Sequence, residues 1–331
     1  MGNFQGKDDV NKIDKPQNIN QRVFKQKLFT CKSPSSCHFL PRSITYSYQH
    51  QTYVMSESYT NYVYFFKHPS HNSQSKIIEK YHNIQSLNYP RGLTTQPITN
   101  NLLVCDNHNM NVFCIDKLKQ IQIQFTTTIN NSQMDFKAGP TLKSTLLYKV
   151  NNYNPNPNSI SSPNGVCCYI DGSIAISDTF FDRIRLFDSS GRFLSFFGCC
   201  GNKYNQFNCP DNLTYLPSQL SASPTLLVAD RHNHRLSVWS ISSNHHQSQP
   251  INQIPVSGSV KGVCVDLNGF VYTSCNRNFY SVVEKRDPRM GYKILQIIGN
   301  KWHFKSVSSM CVDENNNLAV VDCEDHSVYF F

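Results

Sequence analysis

An aspartate followed five residues later by an arginine occurs as Asp178/Arg183 and again as Asp230/Arg235. Such a pair could be an acid/base couple or a structural ion pair. A catalytic couple is needed once, so the repetition assigns these residues to the scaffold. Each aspartate is expected at a strand end, held to its arginine and to backbone amides across a tight loop. Asp106 and Asp322 take the same place in further copies of the pattern. The 13 cysteines raise metal binding. Cys199, Cys200 and Cys209 flank one loop, and His232 and His234 stand in a later one. Zinc wants two ligands at short spacing and a second such pair brought near. Adjacent cysteines are poor spacing, and Cys264, Cys275, Cys311 and Cys323 fall on strand-like runs, where thiols behave as small buried hydrophobes. Residues 198–203 lack the four-residue gap and the Gly-Lys-Ser/Thr ending of a phosphate loop, and read as a turn. No catalytic residue, metal site or cofactor is expected.

The elements that carry these residues repeat. Ile174-Ala175-Ile176-Ser177-Asp178 leads to Arg183-Ile184-Arg185-Leu186-Phe187, and a Ser-Gly turn leads on to Arg192-Phe193-Leu194-Ser195-Phe196-Phe197. With Pro163 to Ile170 in front, this is four short β-rich runs separated by turn residues, one meandering antiparallel sheet. The pattern returns around Glu57, Asp106, Asp230, Ser274 and Asp322, at spacings that mostly match the roughly 40–50 residues of one propeller blade. The interval from Asp106 to Asp178 is longer, and residues 126–160 are rich in Thr, Asn and Pro, which reads as a surface insertion.

The fold expected is therefore all-β, a six-bladed β-propeller of four-stranded antiparallel blades. Its blades lie near 41–82, 89–125, 162–198, 210–255, 258–299 and 303–331. The last repeat lacks a fourth strand, and residues 22–29 alternate polar and apolar like the fourth strand of the complete repeat. An N-terminal strand there would close the ring and cover an open sheet edge. Residues 1–21 are left as a flexible basic tail.

Composition narrows the class. The chain has 331 residues, 39% hydrophobic, 12% aromatic and only 16% charged, with a formal charge of +9. A bias of that size favours an anionic partner. The first 40 residues hold seven Lys and Arg against three Asp, a net of +4, so much of the charge belongs to the tail. The polar start lacks the apolar core of a signal peptide, and Gly6 stands where myristoylation wants Ser or Thr. No run of about 18 apolar residues occurs, so no membrane span is expected. An odd number of cysteines on apparent strands reads as reduced thiols in a cytoplasmic protein.

Asp178…Asp182-Arg183-Ile184, Asp230-Arg231-His232-Asn233-His234-Arg235-Leu236 and the linker Phe196-Phe197-Gly198…Gly201…Gln206-Phe207-Asn208…Pro210 resemble the NHL repeat. The resemblance is strong over 160–240, serviceable over 41–120 and degenerate after 257. There Ser274 replaces the acidic residue, and Phe279 and Ser327 replace the arginine. NHL propellers often form the C-terminal domain of tripartite-motif ubiquitin ligases, where they recognise RNA or protein targets. A RING finger needs eight Cys or His ligands, and residues 1–40 offer only Cys31, Cys37 and His38. The resemblance thus implies a non-catalytic recognition platform rather than an enzyme, acting in post-transcriptional regulation or ubiquitin-linked turnover.

Its binding rim would be Arg42, Arg91, His108, Phe180, Phe181, Lys203, Tyr204, Arg231, His232 and Arg277, with Lys261 beside them. Cations interleaved with aromatics suit single-stranded RNA. DNA is not expected. A protein target alone, recognised for a ubiquitin ligase without RNA, is the nearest alternative. The competing class is a metal-centred propeller hydrolase or lyase. That reading needs several Asp, Asn, Glu or His on channel-facing strand ends, and no such set stands out.

Overall fold

The computed structural model describes residues 24–26, 39–67, 77–81, 87–115, 144–148, 160–220, 223–242, 244–245, 247–300 and 303–331. Among these the architecture is all-β, six four-stranded sheets consistent with a propeller. The first sheet runs β2 (Pro41–Ser47), β3 (Thr52–Glu57), β4 (Tyr62–Phe66) and β5 (Ile77–Tyr81). The second runs β6 (Pro90–Thr95), β7 (Leu102–Asp106), β8 (Asn111–Ile115) and β9 (Ser144–Tyr148). The third contains β10 (Pro163–Cys168), β11 (Ile174–Asp178), β12 (Arg183–Phe187) and β13 (Phe193–Phe197). The fourth contains β14 (Pro210–Tyr215), β15 (Thr225–Asp230), β16 (Arg235–Ile241) and β17 (Ser248–Pro255). In the fifth are β18 (Val263–Val265), β19 (Val271–Asn276), β20 (Ser281–Asp287) and β21 (Lys293–Ile298). The sixth joins β22 (Val307–Val312), β23 (Leu318–Asp322) and β24 (Ser327–Phe330) to β1 (Phe24–Gln26).

Burial follows position within a sheet. Second strands such as Leu102–Asp106 and Ile174–Asp178 are buried along their whole length. Strands covered on both faces take such near-continuous apolar runs. Outer strands β17 and β21 are largely exposed. Six apolar cores fill the spaces between successive sheets. Trp239, Phe197 and Phe207 pack between the third and fourth sheets. Tyr53, Met55 and Phe66 pack on Val321, Val328 and Phe330, joining the first sheet to the sixth. First strands lie side by side in order, β2 by β6, β6 by β10, β10 by β14, β14 by β18, β18 by β22, and β22 again by β2.

The segment β1 runs antiparallel to β24, with Phe24 opposite Phe330. It falls inside the expected 22–29 strand. The tail 1–21 and the rest of 22–29 lie outside the described residues.

Two expectations are corrected. The second blade does not end at 125, because β9, inside the expected 126–160 insertion, supplies its fourth strand by pairing with β8. The run Ser144-Thr145-Leu146-Leu147-Tyr148 has the β-forming residues an edge strand needs, but Thr- and Asn-rich neighbours hide it. The remainder of that insertion up to 159 is outside the described residues. In the fifth sheet the residue standing where the aspartates stand is Asn276, not Ser274. Asn276 pairs with Ser281 across the hairpin just as Asp178 pairs with Arg183 and Asp230 with Arg235. It lies 46 residues from both Asp230 and Asp322, a more even spacing than Ser274 provides.

In five sheets the first strand slips register just after it begins, at Pro41/Ser43, Pro90/Leu93, Pro163/Val166, Pro210/Leu213 and Val307/Ser309. Bulges re-aim the side chains beside them, and here they do so at one end of the central channel. No helix among the described residues is long and apolar enough to cross a membrane.

Candidate active site

The six first strands enclose a cavity of about 200 Å³, lined by residues such as Ile44, Thr95, Cys167, Leu213, Val263 and Met310. Its walls carry no carboxylate, histidine or cation. At the end where the strands begin, Asn212 Nδ2 reaches across to Ser309 Oγ at 3.4 Å, and the Ser43 and Ser309 hydroxyls lie 3.3 Å apart. These three side chains form a polar floor. Above it, at the mouth, stand charged side chains that could do acid/base chemistry.

The mouth is built from one position of the repeat. The second residue of each first strand is Arg42, Arg91, Asn164, Asp211 and Ser308, and Lys261 takes the corresponding place ahead of β18. In three sheets the next position is glycine, Gly92, Gly165 and Gly262, where neighbouring strands pack closely. A Cβ on Gly92 would meet the Asn164 carbonyl at 2.3 Å, and one on Gly165 the Asp211 carbonyl at 2.5 Å.

The side chains form a chain of contacts. Arg91 Nη1 donates to Asn164 Oδ1 at 2.9 Å, and Asn164 Nδ2 donates to Asp211 Oδ1 at 2.8 Å. Arg231, from the turn after β15, lies 4.0 Å from Asp211 Oδ2. Arg42 donates to the Tyr89 hydroxyl at 2.6 Å, both Arg42 and Arg91 lie over the Tyr89 ring, and Tyr89 stacks on His108. Lys261 Nζ donates to Ser306 Oγ at 2.7 Å.

Burial pushes the Asp211 carboxyl above the usual carboxylate range, while Arg231, Arg91, Lys261 and Arg42 pull it back down. Burial likewise lowers the Arg91 guanidinium, with Asp211 opposing and Arg42 and Arg231 adding to the effect. The leading charged influences on Asp211 are four cations, Arg231, Arg91, Lys261 and Arg42. The Nε atoms of Arg42, Arg91 and Arg231 are buried and have no hydrogen-bond partner among the described residues.

The hairpin-end carboxylates are occupied quite differently. Asp178 accepts from the amides of Ser161 and Ser162 and from Arg183. Asp230 accepts from the Asn208 amide, Asn233 Nδ2 and Arg235. Asp106 accepts from the Asn88 amide and from Asn109, and Asp322 from the amides of Lys305 and Ser306. Each ties the linker entering its own sheet to that sheet's second hairpin.

Of the residues singled out in the sequence, Arg42, Arg91 and Arg231 come together around Asp211, with His108 behind Tyr89. Phe180 and Phe181 are exposed on the β11–β12 turn, and Phe181 covers Arg183. Lys203 and Tyr204 are tied through their carbonyls to Arg235 and Gln253. His232 is exposed, its amide bound to the Asn208 carbonyl. Arg277 bonds Tyr280 and Ser257 beside a separate surface cavity of about 610 Å³. Sequence reasoning passed over Asp211, Asn164, Tyr89 and Asn212. The signal that finds them is their place within two residues of the proline that opens each of these first strands.

A metal-centred site does not fit these residues. Among the described residues no group of three or more His, Cys, Asp and Glu could hold a metal ion. At the mouth, a divalent cation would share a single carboxylate with four positive side chains.

No family model matches the chain, and no curated protein matches it. Solved structures do. One assigned as a gluconolactonase superposes with a TM-score of 0.62 at 13% identity, covering 93% of this chain and 91% of the other. A gluconolactonase from Xanthomonas campestris gives 0.60 at 13%, covering 92% and 87%. A streptogramin B lyase gives 0.56 at 11%, covering 93% and 97%. At these identities the likeness establishes the β-propeller fold and nothing finer. It does not single out the NHL type or the ubiquitin-ligase association implied by the sequence resemblance. It also corrects the expectation of a non-catalytic RNA- or protein-recognition platform, because the propellers this chain resembles are named as enzymes. Repetition of Asp and Arg in the hairpins argued against catalysis only for those residues. The mouth, where the repeat position holds Arg, Arg, Asn, Asp, Lys and Ser in turn, was not covered by that argument.

Proposed function

We propose that the chain is a six-bladed propeller enzyme, a hydrolase or lyase working by acid/base chemistry at the channel mouth, with Asp211 moving the proton. The observation that carries this reading is the state of Asp211: the one carboxylate in the ring, raised in pKa by burial and ringed by cations. The six sheets form a ring closed by β1 on β24, and this reading draws support from the channel walls, to which all six first strands contribute. Residues 22–331 make up the propeller, its repeats are NHL-like in their Asp/Arg pairs, and the free, mostly buried thiols favour a cytoplasmic setting.

Hydrolysis and elimination begin alike. A base takes a proton, from water in the first case or from carbon beside a carbonyl in the second, and negative charge develops on oxygen. A carboxylate raised towards neutrality is the stronger base. Asp211 Oδ1 is held by Asn164, while Oδ2 lies 4.0 Å from Arg231. Charge developing on the substrate oxygen would be met by Arg91, Arg231 and Lys261, fixed before the reaction begins. Preorganised donors of this kind contribute the most in sites shielded from water. The polar floor of Ser43, Asn212 and Ser309 keeps the substrate at the mouth.

The test is turnover of a panel of lactones, esters and the streptogramin quinupristin by the full chain, beside Asp211→Asn. Turnover by the parent that collapses in the variant is the expected result. Turnover equal in both, or none on any member of the panel, would remove the reading.

A further inference from the structure

We propose that the molecule taken at the mouth is a small oxyanion, a carboxylate or phosphate compound, seated against the Nε edges of Arg42, Arg91 and Arg231. This deepens the enzymatic reading above and rests on it for the identity of the site.

Charge and hydrogen bonding lead to the same ligand independently. Four cations gather around Asp211, and of these Arg231 comes within ion-pair distance, at 4.0 Å, so positive side chains outnumber the carboxylate they share. Buried donors left unpaired are costly, and native proteins keep few of them. Here three Nε atoms around Asp211 are buried without partners among the described residues, while one Nη nitrogen of Arg42 bonds Tyr89 and one of Arg91 bonds Asn164. Those bonds, and the Tyr89 ring under both guanidinium groups, orient the arginines before any ligand arrives. Guanidinium groups bind carboxylate and phosphate oxygens through charge-assisted hydrogen bonds that neutral substrates cannot match. Size is limited by the floor. The contact between Asn212 and Ser309 joins strands that are not neighbours in the ring, so the anionic group rests above it and cannot enter the channel. This geometry favours a compact head group over a polymer backbone running through the pore.

Calorimetric titration of the full chain with inorganic phosphate and with citrate, at matched ionic strength, tests this without requiring turnover. The parent should bind at least one of them. Arg231→Gln should weaken binding by about tenfold or more, the usual cost of a lost charged hydrogen bond. Arg42→Gln serves the same purpose if that variant does not fold. Asp211→Asn should tighten binding, because it removes the one competing negative charge, a response no merely structural role would give. Arg192→Gln, on an exposed arginine paired to Asp188, should leave binding unchanged. No binding of either anion at millimolar concentration, or equal weakening in Arg192→Gln, overturns the proposal. Binding of single-stranded RNA without binding of either small anion also overturns it. Anion binding with no turnover on the panel would leave this inference standing and remove the catalytic one; turnover with no anion binding would do the reverse.

Discussion

Aspartate and arginine meet in two regions of this molecule under opposite conditions. At the hairpin ends, Asp230 and Arg235 are 2.6 Å apart and almost wholly buried, and Arg235 also donates to the carbonyls of Asn202, Lys203 and Gln206. At the mouth, Asp211 and Arg231 stay 4.0 Å apart, with 16% and 35% of their side chains exposed. The first arrangement uses its donors internally and locks a linker to a sheet. The second keeps charge and donors open. A buried pair is tolerable when its hydrogen bonds are complete, and under the proposal above the incomplete pairing at the mouth is where the anion binds. Residue types alone do not separate a scaffold from a site; the fraction of their bonding capacity already used does.

Four measurements would break or sharpen that contrast. Asp211→Asn should cost about 100- to 10,000-fold in turnover, the range of a lost general base. Its stability at neutral pH should equal or exceed the parent's, since burial already disfavours the charged carboxyl. A loss of stability with activity intact would place Asp211 in the scaffold. Arg235→Ala should do the opposite, lowering unfolding free energy by about 3–5 kcal/mol in denaturant titrations, because it strands a buried carboxylate. Gly165→Ala tests the close approach of strands at the mouth. The added Cβ sits 2.5 Å from the Asp211 carbonyl, and overpacking of this kind costs about 1–3 kcal/mol. A thermal scan showing no change would mean that the strands part easily there.

The smallest effect is one of pH. Asp106 stands in the second sheet where Asp178 and Asp230 stand, but the residue opposite it is Asn111, not arginine. Burial raises its carboxyl from 3.8 to about 6. The folded state therefore holds this proton over a range where the unfolded state has lost it, and stability falls as pH rises from about 4 to about 6. Asp106→Asn should flatten that part of the stability profile. An unchanged slope would assign the dependence to another group.

Much of the fold was legible in the residues because its signals are local. Alternating runs ending in Asp, with turn residues at short intervals, define hairpins whose partners are a few positions apart. The strands of the third and fourth sheets follow such runs for this reason. The strand β9 was not legible, because 28 residues separate it from β8 and its neighbours are turn formers. Asn276 was missed because its sheet has lost both members of the Asp/Arg pair, leaving only pairing register to locate the position.

The candidate site divides along the same line. Arg42, Arg91 and Arg231 were visible as cations near blade entrances, whereas Asp211 and Asn164 did not stand out. What the sequence determined by itself was the repeat, the hairpin pairs and the all-β class, each set by contacts between residues near one another in the chain. What only the tertiary structure decided was the mouth. Arg91 reaches Asn164 across 73 residues and Asn164 reaches Asp211 across 47, and the Asp211 carboxyl is raised by burial that exists only once the first strands lie side by side.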